Sequence, residues 1–328
     1  MKRLLALLML ALAFARPAPV LAQSYAAWLP YWEAEDAMEE LAALDGQIDT
    51  AIAFAAIFDS RDRVMMLPET EQLLEQMRSC CTQTQVTLSV VNDIELEPGR
   101  YDNKSSDLLR RILRDEESML RHIEQLFGLV DKYDLSGLEI DYEALKDDQK
   151  LWDRFAVFIE ELYRQFSSQG LSLRVVLSWD APKYITLPEG PEYSVMCYNL
   201  YGYHSGSGPK ADYDFLRTVA ELYAPYAPST RMALATGGFV WGDGIRALTQ
   251  RQAQQLIREQ NVQMVRDMRS GALNGSYAQG GRTHTLWMAD AMTLSLWRDL
   301  FAGDGFAGFD LFRLGGNDLE DLAEHFFE

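Results

Sequence analysis

The chain has 328 residues, 48% of them hydrophobic, and a formal charge of −19. A chain of about 300 residues with that apolar share can bury a sizeable core, as one large domain or two small ones. The acidic balance excludes nucleic acid and anionic membrane surfaces as partners held by bulk charge. The three cysteines, Cys80, Cys81 and Cys197, have no regular spacing. They give no disulfide framework and read as reduced or structural; a bridge to Cys197 has no geometric support.

The first element in chain order is an address. Lys2 and Arg3 precede the apolar run Leu4–Ala15, and Val20-Leu21-Ala22 is a small-residue cleavage pattern. Residues 1–22 read as a secretory signal, with the mature chain starting near Gln23. A secreted or extracytoplasmic protein of the periplasm or cell envelope is therefore expected. The run is short for a bilayer span, and no later segment reaches roughly 18 unbroken apolar residues. No stable membrane insertion is expected after cleavage.

Residues 23–328 alternate short apolar runs with amphipathic stretches. Strands are predicted at Tyr25–Pro30, Thr50–Ala56, Val86–Val91, Gly137–Asp141, Leu173–Ser178, Tyr193–Tyr198, Met232–Thr236 and Phe306–Leu311. The helical period places helices at Asp36–Leu44, Glu69–Arg78, Leu108–Lys132, Gln149–Gln165, Asp214–Tyr223, Thr249–Glu259 and Ala289–Leu300. After Leu177 the chain carries Pro182, Pro188, Gly190 and Pro191, so the fifth helix is missing or vestigial. Repeated β-α units over this length point to an α/β fold, a single-domain (β/α)8 TIM barrel. The runner-up, an open doubly wound sheet, would carry a glycine-rich phosphate turn after an early strand, and none is present.

The most informative segment is Ser136-Gly-Leu-Glu-Ile-Asp-Tyr-Glu143. Successive side chains in a strand point to opposite faces, so Glu139, Asp141 and Glu143 share one face and Leu138, Ile140 and Tyr142 the other. The bland reading is a half-exposed strand with a solvated acidic face. The functional reading is a column of repelling carboxylates, at least one with a raised pKa, as suits a protonated acid beside an ionised partner. Barrel enzymes keep catalytic residues at the C-terminal ends of strands. Asp141 and Glu143 end the fourth predicted strand, and Tyr198 and Asn199 end the sixth, which gathers them at one mouth. His122, His204, His284 and His325 lack metal-ligand spacing, and no metal site is expected.

These residues carry a resemblance. Gly137-Leu-Glu-Ile-Asp-Tyr-Glu143 resembles the Asp-Gly-x-Asp-x-Asp-x-Glu signature of family 18 glycoside hydrolases, the chitinase-like barrels. Met196-Cys-Tyr-Asn199 is similar to that family's Met-x-Tyr-Asp, and Trp287-Met-Ala-Asp290 to its Trp-x-x-Asp. Phe309-Asp-Leu-Phe-Arg-Leu-Gly315 is similar to its closing strand. Trp28-Leu-Pro-Tyr-Trp32 resembles the first strand of the spore-cortex and cell-wall hydrolase subgroup. Four positions depart from the pattern: Ser136 and Glu139 replace two signature Asp residues, Asn199 replaces an Asp, and Phe312 stands where a Trp usually floors the sugar site. The first two are expected in shells that tune pKa. Asn199 keeps hydrogen-bonding capacity without charge, and Phe312 keeps an aromatic face without the indole N–H.

The resemblance implies a secreted retaining glycosidase acting on β-1,4-linked N-acetylglucosamine glycans of peptidoglycan, cortex or chitin type, in which the substrate supplies the nucleophile. Glu143 would be the general acid/base. Asp141 would orient and stabilise the substrate acetamide, and Tyr198 would hydrogen-bond it. Glu139 and Asn199 would support them. No metal or organic cofactor is required. Phe312, Trp179, Tyr201 and Trp287 are the expected sugar-binding aromatics, with Tyr203 a weaker one. Many family members insert a large α+β domain between the seventh and eighth strands. Here the Gly-rich stretch Ser270–His284 reads as a hairpin or loop, and a shallower groove follows. The alternative is a catalytically weak or inactive glycan-binding, lectin-like barrel, because fold does not fix function.

Overall fold

The computed structural model describes residues 23–81, 83–145 and 147–327; the expected leader lies outside them. Eight parallel strands close into a barrel: β1 (Ser24–Pro30), β2 (Thr50–Phe58), β3 (Gln85–Glu97), β4 (Gly137–Asp141), β5 (Ser172–Ser178), β6 (Glu192–Met196), β7 (Thr230–Ala235) and β8 (Gly308–Phe312). Pairing of β8 with β1 and of β2 with β3 completes the ring. All eight predicted strands are present, because each is a buried apolar run bounded by turn residues.

The outward faces of the strands and the inward faces of the helices make the main core. Leu138 and Ile140 of β4 pack there with Phe155, Phe158 and Leu162 of the helix Gln149–Ser168. Gly137 is required at the start of β4, since a Cβ there would sit 2.3 Å from the Ser172 carbonyl oxygen of β5. No helix follows β5, only a 3-10 turn at Ala181–Lys183, in keeping with its prolines.

Three local expectations are corrected. The helix predicted over Leu108–Lys132 is two helices, Ser106–Ile112 and Glu116–Tyr133. Asp115 separates them because its carboxylate caps the second helix, accepting from Ser118 N at 2.9 Å. Strand β3 runs six residues past its predicted end, to Glu97, and turns back as a hairpin with Arg100–Asp102. The third correction concerns the segment between β7 and β8, which is more than a hairpin. It is a five-stranded antiparallel sheet of Gly237–Gly242, Gly244–Leu248, Val265–Arg266, Leu273–Gln279 and Arg282–Ala289, with the helix Gln250–Gln260. The expected hairpin is its Leu273–Ala289 part. The other strands escaped the sequence reading because they are short, of 6, 5 and 2 residues. This insertion is compact, yet it walls one side of the barrel mouth.

Candidate active site

The site grows from β4. Alternation turns Glu139 and Asp141 into the barrel, both buried, while Tyr142 turns out and bonds His122 Nε2 through its hydroxyl at 2.7 Å. Glu139 lies deepest. It accepts from Trp28 Nε1 at 2.6 Å and from Arg174 Nε at 3.1 Å. Arg174 stands beside it in the register of β4 and β5. Arg174 also donates to Asp310 at 2.8 Å and pairs with Glu192. Asp310 in turn accepts from Ser194 Oγ at 2.6 Å and Arg231 Nε at 2.6 Å.

The two buried acids of this network behave oppositely. Burial raises the Glu139 carboxyl despite Arg174 and Trp28. Asp310, equally buried, is held below its ordinary value by Arg231, Arg174 and Ser194. The number of cationic and hydrogen-bonding partners decides the sign.

One step outward, Asp141 has a buried Oδ1 with no hydrogen-bond partner among the described residues. Burial first, then the Glu143 and Glu139 carboxylates, hold the Asp141 carboxyl well above the usual range; Lys104 opposes them. Buried carboxylate oxygens are seldom left unpaired, so this atom is poised for an outside donor. Glu143 follows at the rim, clamped through its backbone by Asn92. Its N–H donates to Asn92 Oδ1 at 2.9 Å and its carbonyl accepts from Asn92 Nδ2 at 3.0 Å.

The Glu143 carboxylate pairs with Lys104 at 2.6 Å. The β3 hairpin delivers that lysine: Asp93 accepts from Lys104 N at 2.7 Å, and Ser105 N donates to the Asn92 carbonyl at 2.8 Å. Lys104 opposes the raised Asp141 carboxyl, so Lys104→Met is expected to push the pH–activity profile toward higher pH. The displacement should be of order one pH unit, read from kcat/KM against pH.

Tyr198 reaches the same mouth from the end of β6. Its ring stacks on Phe312, with centroids 5.2 Å apart, and Phe312 meets Trp28 edge-on at 5.9 Å. Burial, then Asp141 and Glu143, push the Tyr198 hydroxyl well above its ordinary value, so it stays a proton donor. Glu143 borders a cavity of about 190 Å³ together with Ser178, Asp180 and Met196. Phe312 and Asn199 border a second, of about 400 Å³, closed on the far side by Phe239 of the insertion. The chain behind Phe312 is fixed by buried Glu40, which accepts from Gly315 N, Gly316 N and Asn317 N at 2.7, 2.7 and 2.8 Å.

The structure thus brings together Glu139, Asp141, Glu143, Tyr198, Asn199 and Phe312. Three expected binders sit elsewhere and border neither cavity. Trp179 packs on Phe215, with Lys183 Nζ 4.0 Å from its ring centre. Tyr201 packs against Gly208. Trp287 pairs with Phe239 and Asn274 inside the insertion sheet, and its partner Asp290 caps the next helix. Ser136 is exposed at the opposite end of β4 and bonds Gln85 at 2.9 Å, so it takes no part in tuning the carboxylates. Tyr203 is exposed beside Phe239. Half-exposed Trp32 lies edge-on to Phe54, which in turn lies edge-on to Phe312, and it adds an aromatic face at the rim. The sequence reading missed Asn92, Lys104, Arg174 and Asp310. Only the charged residues inside otherwise apolar strands, Arg174 and Asp310, carried a signal.

No family profile matches the sequence, and no curated protein does. Solved structures do. A chitinase from Chromobacterium violaceum superposes with a TM-score of 0.77 at 18% identity, covering 93% of this chain and 99% of that one. The fold is that of these chitinase-like barrels. The spore cortex-lytic enzyme SleL of Bacillus cereus gives 0.76 at 18%, over 92% of this chain and 73% of its own. A class V chitinase from Nicotiana tobaccum, solved with NAG4, gives 0.76 at 13% over 93% and 98%. Among the described residues no helix is long and apolar enough to cross a membrane.

Proposed function

We propose that the protein is a retaining glycosidase that cleaves β-1,4-glycans containing N-acetylglucosamine, with the substrate's own 2-acetamido group as nucleophile. The observation that carries this reading is the Glu139–Asp141–Glu143 column at the barrel mouth, with an unpartnered Asp141 oxygen at its centre. A chemistry with a protein nucleophile would need two carboxylates flanking the bond. Here the three acids rise from one strand, on one side of the scissile position.

In this mechanism Glu143 gives its proton to the glycosidic oxygen as the bond to the anomeric carbon breaks. The acetamide carbonyl oxygen closes on that carbon and forms a cyclic oxazolinium. Asp141 accepts the acetamide N–H at its unpartnered oxygen and offsets the positive charge that develops there. Tyr198 donates to the acetamide oxygen, and Phe312 supplies the flat face under the sugar. Water, deprotonated by Glu143, then opens the ring with net retention. Because Lys104 pairs with the Glu143 carboxylate, substrate entry must displace that ammonium before the acid can act. The leader read in the sequence fits action outside the cytoplasm.

The test is to incubate the protein with chitooligosaccharides and with purified peptidoglycan, and to read products by mass spectrometry and their first anomeric form by NMR. Retained β-anomers are expected. Inverted products would overturn the mechanism, and binding without products would leave a lectin-like barrel.

A further inference from the structure

The 400 Å³ cavity beside Phe312 has the size of a small-ligand pocket, and its charge runs against that of the chain. Lys210 and Arg313 line it, with Glu33 as the single acid. Arg313 pairs with Glu33 through one nitrogen, and its guanidinium lies over the Trp32 ring at 5.7 Å. Lys210 donates to the Thr236 carbonyl at 2.6 Å, which uses one of three N–H donors. Among the described residues no carboxylate lies within salt-bridge distance of it. An ammonium withdrawn from water without a counter-ion is costly; burial, then Arg313, push it down to about 7. In a chain of net charge −19, a net cationic recess that shares Phe312 and Asn199 with the catalytic mouth calls for an anion on the ligand.

We infer that Lys210 and Arg313 form a subsite for a carboxylate borne by the sugar next to the cleaved bond, so that the preferred substrate is an acidic amino-sugar glycan rather than neutral chitin. This rests on the glycosidase reading above. The fitting chemistry is an N-acetylglucosamine chain in which alternate rings carry a 3-O-lactyl ether. The carboxylate would take the two remaining Lys210 N–H groups and a free Arg313 N–H. A neutral chain leaves all of these unused. The Thr236 carbonyl holds the lysine head in place, so little side-chain freedom is lost on binding.

The test compares two matched tetrasaccharides, one bearing the lactyl carboxylate and one with that carboxyl reduced to the alcohol. Binding is measured by calorimetry to the Glu143→Gln protein, and hydrolysis with the wild type. A charge-assisted bond predicts about 10- to 100-fold tighter binding of the acid form. Lys210→Met in the same background should bring that ratio close to one, and Lys210→Arg should restore most of it. Equal affinity of the parent protein for both sugars overturns the inference without recourse to any Lys210 variant, as does a preference that survives Lys210→Met. If neither sugar is hydrolysed while the affinity difference stands, the glycosidase reading falls and the subsite holds.

Discussion

Glu143→Gln is expected to lower kcat by roughly a hundred- to ten-thousand-fold, the contribution of a positioned general acid, with substrate affinity retained. The substitution keeps the volume of the side chain and removes its proton-donating chemistry. It should leave the local structure intact, because Asn92 holds residue 143 by its backbone N–H and carbonyl rather than by its side chain. The loss should therefore fall on kcat, with KM unchanged or lower since Lys104 no longer competes for a carboxylate. Single-turnover assays beside equilibrium binding separate these effects. A variant that retains a tenth or more of the wild-type rate would remove Glu143 from the chemistry.

The second large effect concerns stability. Arg174→Met should destabilise the protein by about 3–5 kcal/mol, the usual result of removing one partner from a buried ion pair. Tm should fall by roughly 5–8 °C. Arg174 is the one guanidinium shared by Glu139 and Asp310, both fully buried in the barrel. Asp310 would keep Arg231, but Glu139 would keep only the Trp28 indole.

The defect should depend on pH. Asp310 has a depressed folded pKa, so the stability it provides is present above its unfolded value and is lost as pH falls through the folded one. Glu139 has a raised one, so keeping it ionised costs stability above its unfolded value. Removing Arg174 pushes both upward. The gap between wild type and variant should be widest near pH 7 and narrow toward about pH 4–5, where carboxyl groups take up protons. Thermal unfolding across that range checks it; a gap independent of pH would mean that Arg174 acts through packing alone.

Much of the barrel was legible because its signal is local. Each strand is a short apolar run with turn residues at its ends, and β4 also wrote its two faces into strict alternation. The candidate site was legible where chemistry and alternation coincide, at Glu139, Asp141 and Glu143, and where a strand end brings a side chain in, at Tyr198, Asn199 and Phe312. What the sequence hid depends on contacts between distant segments. Arg174 and Asp310 meet across 136 residues, and no window contains both. Lys104 reaches Glu143 only because β3 continues past its apolar stretch and folds back. Trp179, Tyr201 and Trp287 were read as binders from their closeness to strand ends, yet packing against Phe215, Gly208 and the insertion sheet takes them away from the cavities.

The insertion leaves the barrel at Gly237 and rejoins it near Ala289, and a unit tethered at neighbouring points could swing. Arg266, in the edge strand of its sheet, removes that freedom. It donates to Asp290 at 2.7 and 3.1 Å, to the Gly271 carbonyl at 2.7 Å and to Thr293 at 3.0 Å, tying the sheet to the barrel helix Ala291–Leu300. The mouth is therefore a fixed trough and not a jaw. On the glycosidase reading proposed above, no swing of the insertion has to precede catalysis.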